Sequence, residues 1–361
     1  MSRGLGDVYK RQLLDYLKQA AADGASDLFI IAGGRVCEKN DKRMTPISAE
    51  KIFPQETERL ILDMYHLAER DPAPYLRRGD DDFSFSVPGL ARFRVNAYRQ
   101  RGSLAAVVRV VAFRIPDWRA LGIPPAVIDL ADTSHGMVLV TGTAGSGKST
   151  TQACIIDRIN QTRECHIITL EDPIEYLHRD QRSIVSQREI AIDTENYLSA
   201  LRACLRQAPD VILLGEMRDA ETIHTAMTAA ETGHLLIATL HTRGAVNTID
   251  RIVDTFPGSQ QEQIRAQLGT VLHTVISQQL LPGTHGDLVP AFEIMRMNSA
   301  IRSMIRDNKT HQIENVIASG GSEGMVTMDS SILSLYRAGK ITADTAVDYA
   351  SSPEQMRRRL G

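Results

Sequence analysis

Residues 142–150, Gly-Thr-Ala-Gly-Ser-Gly-Lys-Ser-Thr, put a lysine and two hydroxyls directly behind a run of small residues. A turn alone needs no lysine. Backbone N–H groups can converge on an anion where Gly142, Thr143, Ala144, Gly145, Ser146 and Gly147 keep bulk away. Lys148 then adds a point charge, Ser149 offers a hydroxyl to Mg²⁺, and Thr150 completes the set. The spacing G-x-x-x-x-G-K-S arises by chance in roughly one chain per hundred of this length. Its flanks narrow the reading further. Met137–Val140 is an apolar run fit for a buried strand, and Ala153, Ile156 and Ile159 fall on one face of a following helix. Strand, loop, helix is the setting such a loop requires, so the stretch is expected to bind a nucleoside triphosphate with Mg²⁺.

Two acidic groups stand where they could serve that ligand. Glu216 lies just past the apolar run Val211–Leu214, a position from which a carboxylate holds the Mg²⁺ shell through water or polarises the attacking water. Glu171 and Asp172 end a second run, "HIITLEDPIEY". Asp219 reads as the cap of the helix "AETIHTAMTAAET", which Gly233 stops. In "GHLLIATLHT" the odd spacing of His234 and His241 turns them to opposite faces of a strand, so they should not share a metal. His241 lies at the C-terminal end, placed to sense a γ-phosphate. His234, at the far end, reads as a hydrogen-bonded structural histidine.

Positioning these groups requires a parallel sheet. Apolar runs at 137–141, 165–170, 211–214 and 234–240 alternate with helical patterns, a βαβ rhythm that gathers ligands at strand C-termini. Before them, a helix over 13–23 and the alternation of Phe83, Phe85, Val87 and then Phe93, Val95, Ala97 predict a small α+β domain over 13–113. Residues 114–135, with their prolines and glycines, read as a linker holding one short helix. The ATPase part is expected over 136–361, becoming mainly helical from about 258. Residues 1–12 read as a tail or an artefact.

Composition excludes several classes. A formal net charge of −3 over 361 residues gives no reason to expect nucleic acid, and no apolar run approaches the ~18 residues of a membrane span. The four cysteines are scattered without a C-x-x-C pair, which argues against a tetracysteine zinc site and for reduced thiols in the cytosol.

The motifs together resemble the PilT-type retraction ATPases of type IV pili, within the secretion ATPase superfamily. The resemblance covers about residues 13–350. It rests on the Walker A "GTAGSGKST", the Asp box "TLEDPIEYLH", the Walker B "LRQAPDVILLGEMRD", the His box "AAETGHLLIATLHT" and, farther along, "AIRSMIRDNK". It implies a PAS-like N-terminal domain, a RecA-like α/β P-loop core with a helical end, and a homohexamer with ATP between the two domains of a subunit. By position it makes Glu216 the Walker B glutamate, Glu171 the Asp-box acid and His241 the His-box histidine. Arginines of the N-terminal domain reach the γ-phosphate in this family, and Arg94 and Arg109 are the candidates.

In "AIRSMIRDNK", Ile301, Met304 and Ile305 form an apolar stripe, which leaves Arg302 and Arg306 to face a partner. The family further implies a cytoplasmic motor at the inner-membrane base of the pilus machine, contacting its platform protein, and admits related pilus ATPases as further partners. "AGGRVCEKNDKRMTP" is short against the family's first hairpin, and the tail "SSPEQMRRRLG" is closer to the PilU paralogue. Other readings are a PilU-like accessory ATPase, an assembly or type II secretion ATPase, and a RecA-like DNA translocase.

Overall fold

The computed structural model describes residues 3–40, 43–111 and 115–360, with the backbone alone over 3–11. The boundary expected at 113–114 lies outside the described residues. The chain divides into two compact units, Met1–Arg114 with Glu175–Leu177, and Ile115–Ile174 with His178–Gly361.

The first unit is an antiparallel sheet with helices. Its elements are α1 (Arg3–Ala22), β1 (Asp27–Ile31), β2 (Cys37–Asn40), β3 (Arg43–Pro46), α2 (Pro54–Leu67), α3 (Ala73–Arg78), β4 (Asp80–Val87), β5 (Ala91–Gln100) and β6 (Ser103–Val111). The six strands run in the order β3-β2-β1-β6-β5-β4. Phe83 and Phe85 of β4 and Phe93, Val95 and Ala97 of β5 are buried with Leu13 and Leu17 of α1 and Leu60, Ile61 and Met64 of α2. The two-residue alternation puts these apolar side chains on the inner face, as the sequence pattern requires.

One reading needs correction here, and two features add to the sequence pattern. Helix α1 starts at Arg3, so helical backbone covers most of the stretch read as a tail, although its described anchoring side chains begin at Leu13. Pro54 opens α2, because the first helical position needs no N–H donor; Glu56 caps that turn by accepting the Phe53 N–H at 2.7 Å. Strands β2 and β3 form a hairpin in "RVCEKNDKRMTP", where every β3 residue is exposed and no apolar alternation marks the edge.

The second unit carries α4 (Pro125–Ile128), β7 (Gly136–Thr141), α5 (Lys148–Thr162), β8 (His166–Glu171), β9 (Ile184–Glu189), α6 (Tyr197–Cys204), β10 (Val211–Leu214), α7 (Ala220–Glu231), β11 (Leu235–Leu240), α8 (Ala245–Asp254) and α9 (Gly258–Val271). It continues through β12 (Leu272–Pro282), β13 (Leu288–Arg296), α10 (Ser299–Arg306), α11 (Ile313–Ser319), α12 (Met328–Arg337), α13 (Ala343–Tyr349) and α14 (Pro353–Leu360). The seven strands run β13-β12-β7-β11-β10-β8-β9, parallel from β12 to β9, with β13 antiparallel at the edge. Strands β7, β10 and β11 are buried along their whole length. Continuous apolar runs are what a parallel sheet covered on both faces demands.

The expected RecA-like α/β core is present, with two differences. The stretch read as a linker folds onto the sheet: Ile123, Val127, Ile128, Leu130 and Ala131 are buried with Ile155, Ile156 and Ile159 of α5. The chain is also not yet helical after residue 271. The β12–β13 hairpin comes first, and its buried Thr274, Ser277 and Gln278 break the apolar run that would have marked a strand. The helical end begins at Ser299: Ile301, Ile305, Ile313 and Ile317 join the main core, while Met328, Ile332, Ile341, Ala346 and Met356 pack with Leu281, Val289 and Ala291 of the hairpin.

Candidate nucleotide site

The loop between β7 and α5 lies at the C-terminal edge of the parallel strands. Gly142, Gly145 and Gly147 adopt φ of 144°, 74° and 87°, and a side chain would be strained at each. Space is the second constraint. A Cβ on Gly147 would stand 2.8 Å from the Gln278 side-chain nitrogen, and one on Gly142 would collide with the Gln278 carbonyl and Ser146 Oγ. The loop is therefore pressed against β12. Thr151, in the first turn of α5, donates to Gln278 Oε1 at 2.7 Å and fixes the helix to the same residue.

The chemistry converges here. Lys148 is buried, and its Nζ donates to the Gly142 and Thr143 carbonyls, each at 2.9 Å. His241, one residue past β11, places Nδ1 3.4 Å from that Nζ and Nε2 3.1 Å from Glu216 Oε1. The other Glu216 oxygen accepts from Arg218 Nη2 at 2.7 Å. Burial alone would raise the Glu216 carboxyl pKa. The Arg218 hydrogen bond and the charges of Arg218, His241 and Lys148 outweigh it and hold the carboxyl below its ordinary value. Glu216 is thus kept ionised, as a proton acceptor must be.

Gly215 sets the distance between the two acidic strand ends. Its N–H donates to the Leu170 carbonyl at 2.8 Å. A Cβ there would lie 2.7 Å from the Tyr197 hydroxyl, 3.0 Å from the Leu170 carbonyl and 3.4 Å from Glu171 Cα. The residue before the glutamate must be small for β10 and β8 to end side by side. Glu171 accepts from Thr169 Oγ1 at 2.6 Å and from Gln187 Nε2 at 3.1 Å. Tyr197 feels Asp172, Glu216 and Glu171 together. Its hydroxyl pKa is raised, by burial first and by these carboxylates next.

A bound nucleotide with Mg²⁺ fits this donor set. Ser146 Oγ is buried in the loop with no partner, a donor awaiting an oxygen. Loop and helix N-terminus present backbone N–H groups to an anion. Mg²⁺ characteristically keeps few protein ligands and relies on phosphates and water, which matches Ser149 with Glu216 acting through water. Beside the loop a recess of about 180 Å³ is walled by Leu121, Ile123, Leu280, Leu288 and Pro290, with Thr150 and Thr151 on its polar side.

The structure thus joins Lys148, His241 and Glu216 directly, and brings Glu171 to the adjoining strand end. His234 bonds the Ala229 carbonyl through Nδ1 at 2.9 Å, and the Asp219 side chain caps α7 through the Thr222 N–H at 2.8 Å, both as expected. Arg94 and Arg109 face each other across β5 and β6 of the first unit. Arg109 is engaged there, donating from Nε to Asp27 Oδ1 at 3.0 Å.

Arg302 is exposed at its tip while its Nε donates to the Gly269 carbonyl of α9 at 2.9 Å. Gly269 is buried and has no side chain of its own to cover it, so the arginine stem lies over it. The apolar stripe docks as expected, with Ile301 and Ile305 fully buried, and the Arg306 side chain remains largely exposed beside Asp307. Sequence reasoning missed Arg218 and Gln278. Arg218, two residues past Glu216, could have been found as its nearest cation. Gln278 could not, because its strand was not recognised.

Known proteins resemble this chain along nearly its whole length. The family described as "Type II/IV secretion system protein" matches residues 6–323. The type IV pilus retraction ATPase PilT of Pseudomonas aeruginosa is 42% identical over 95% of this chain and 99% of its own. The type IV pilus ATPase PilU of the same organism is 35% identical over 94% of this chain and 89% of its own. Among solved structures, the pilus retraction motor PilT with bound ADP superposes with a TM-score of 0.85 at 44% identity, covering 96% of this chain and 98% of that one.

Proposed function

The chain belongs to the type II/IV secretion system protein family, and on that premise we propose that it is an ATP-hydrolysing motor, working as a homohexamer, that retracts type IV pili. The observation that carries the reading is the contact chain from Lys148 through His241 to Glu216 at the parallel strand ends. Greater identity to PilT than to PilU favours the principal retraction motor over the accessory one.

Bound Mg²⁺ would screen the phosphates and draw electron density from the γ-phosphoryl group. The rest falls to this chain. Lys148, now on loop carbonyls, would turn to the β- and γ-phosphates, and Ser149 would hold the metal. Glu216 accepts the proton of the attacking water, because its ionised carboxylate is aligned by His241 and Arg218. Glu171 orders water from the adjoining strand end. The apolar recess beside Thr150 takes the flat face of the base. Arg94 and Arg109 stabilise charge on the γ-phosphate in the assembled ring.

Among the described residues no helix is long and apolar enough to cross a membrane. We place the motor on the cytoplasmic side of the inner membrane, against the platform protein of the pilus machine. Deleting the gene tests this. Cells should stay piliated and lose surface motility, and motility should return with the wild-type chain but not with Lys148→Ala. Bald cells would indicate an extension motor.

A further inference from the structure

Ser277 and Glu293 face each other across the β12–β13 hairpin. They receive consecutive amides from the turn that follows His241. The Gly244 N–H donates to Ser277 Oγ at 2.9 Å, and the Ala245 N–H donates to Glu293 Oε1 at 2.7 Å. Gly244 is the residue that caps α8, at φ 82°, and it has no side chain with which to cap. The cap comes from β13 instead. The second oxygen of the same carboxylate, Oε2, accepts the Met328 N–H at 3.4 Å, the first residue of α12. One carboxylate thus holds the starts of two helices.

The rest of the turn is closed as well. Thr248 donates to the Gly244 carbonyl at 2.7 Å, and Thr242 meets the Thr248 hydroxyl at 2.7 Å. His241 and Ala245 are thus joined by a short and internally bonded segment. The hairpin is tied to the nucleotide loop too, since Ser277 pairs with Thr141 of β7 and Gln278 holds Thr151.

Glu293 is buried, at 8% exposure. Burial raises its carboxyl pKa. The Ala245 and Met328 amides oppose that rise, and Glu314 and Asp329 add to it. A carboxylate in such a place costs more than a well-packed apolar side chain, so packing alone does not account for it.

We propose that Glu293 is a positioning residue for the nucleotide reaction, clamping the turn that carries His241 to α12 and so passing changes at the γ-phosphate to helices α12–α14. The inference rests on the nucleotide reading of residues 142–150. Coupling of this kind needs an element whose arrangement both sites bias, and the shared carboxylate supplies it.

Glu293→Gln is the incisive variant. The Ala245 and Met328 N–H groups use separate carboxylate oxygens, and the amide replaces one of these with an NH₂ donor that would face an N–H, so one of the two bonds is lost at this geometry. Hydrogen exchange is followed on the full chain without nucleotide, with ADP, and with a non-hydrolysable ATP analogue plus Mg²⁺. In the wild type, the analogue should protect residues 142–151 and also change exchange over 328–333. In Glu293→Gln the first effect should persist and the second be lost, with kcat lowered and KM unchanged.

Protection at 142–151 with no change at 328–333 in the wild type overturns the inference and spares the nucleotide reading. An undiminished change at 328–333 in the variant does the same. Absence of protection at 142–151 removes both. Should Glu293→Gln not fold, Glu293→Asp, which keeps the charge but shortens the reach, must weaken the change at 328–333, and an unaltered change there counts against the clamp.

Discussion

His241 Nε2 lies 3.1 Å from Glu216 Oε1, joining the end of β11 to the end of β10 beside the phosphate loop. Because the same ring reaches Lys148 through Nδ1 at 3.4 Å, the histidine bridges Glu216 and Lys148. Replacing His241 with alanine should leave nucleotide affinity nearly intact while hydrolysis falls on the order of 10²-fold, the scale of a misplaced catalytic group. Titration with a fluorescent nucleotide and a phosphate-release assay separate the two effects. Weakened binding with unchanged kcat would assign His241 to the ligand instead of the base.

Gly215→Ala tests the strand spacing. The new methyl would meet the Tyr197 hydroxyl and the Leu170 carbonyl, and overpacking of this kind costs about 1–3 kcal/mol. The variant should melt lower, and adding Tyr197→Phe should recover part of the loss by removing the nearest atom. Equal melting of single and double variants would show that the Leu170 carbonyl alone sets the limit.

The sequence reading was most accurate where one physical signal dominated. Wholly buried parallel strands such as β7, β10 and β11 show as unbroken apolar runs, and the loop with Lys148 shows by spacing alone. The β12–β13 hairpin was illegible because Thr274, Ser277, Gln278 and Glu293 are buried polar residues, the last three with partners far along the chain. Helical periodicity likewise separated Ile301 and Ile305 from Arg302. It could not show that Arg302 bonds Gly269 on α9, a contact set by tertiary packing.

Arg94 and Arg109 carry a prediction about assembly. Arg94→Ala should slow hydrolysis without lowering the melting temperature. Arg109→Ala should slow hydrolysis and also lower melting slightly, because Asp27 loses its cation. Rings mixed from either arginine variant and Glu216→Gln chains should recover activity if the arginine serves a neighbouring subunit, since some interfaces then hold both intact residues. No recovery over either variant alone would place the arginine within its own subunit.

Glu216→Gln addresses the central claim most directly. The substitution keeps the size of the side chain and its hydrogen bonding to one neighbour but removes the carboxylate proposed to accept the proton. Phosphate release should fall by on the order of 10²–10⁴ while nucleotide binding persists, the range expected for losing a positioned base. Cells carrying only this variant should keep their pili and fail to pull. Normal binding with a loss of less than about tenfold would contradict the account and move the base to Glu171.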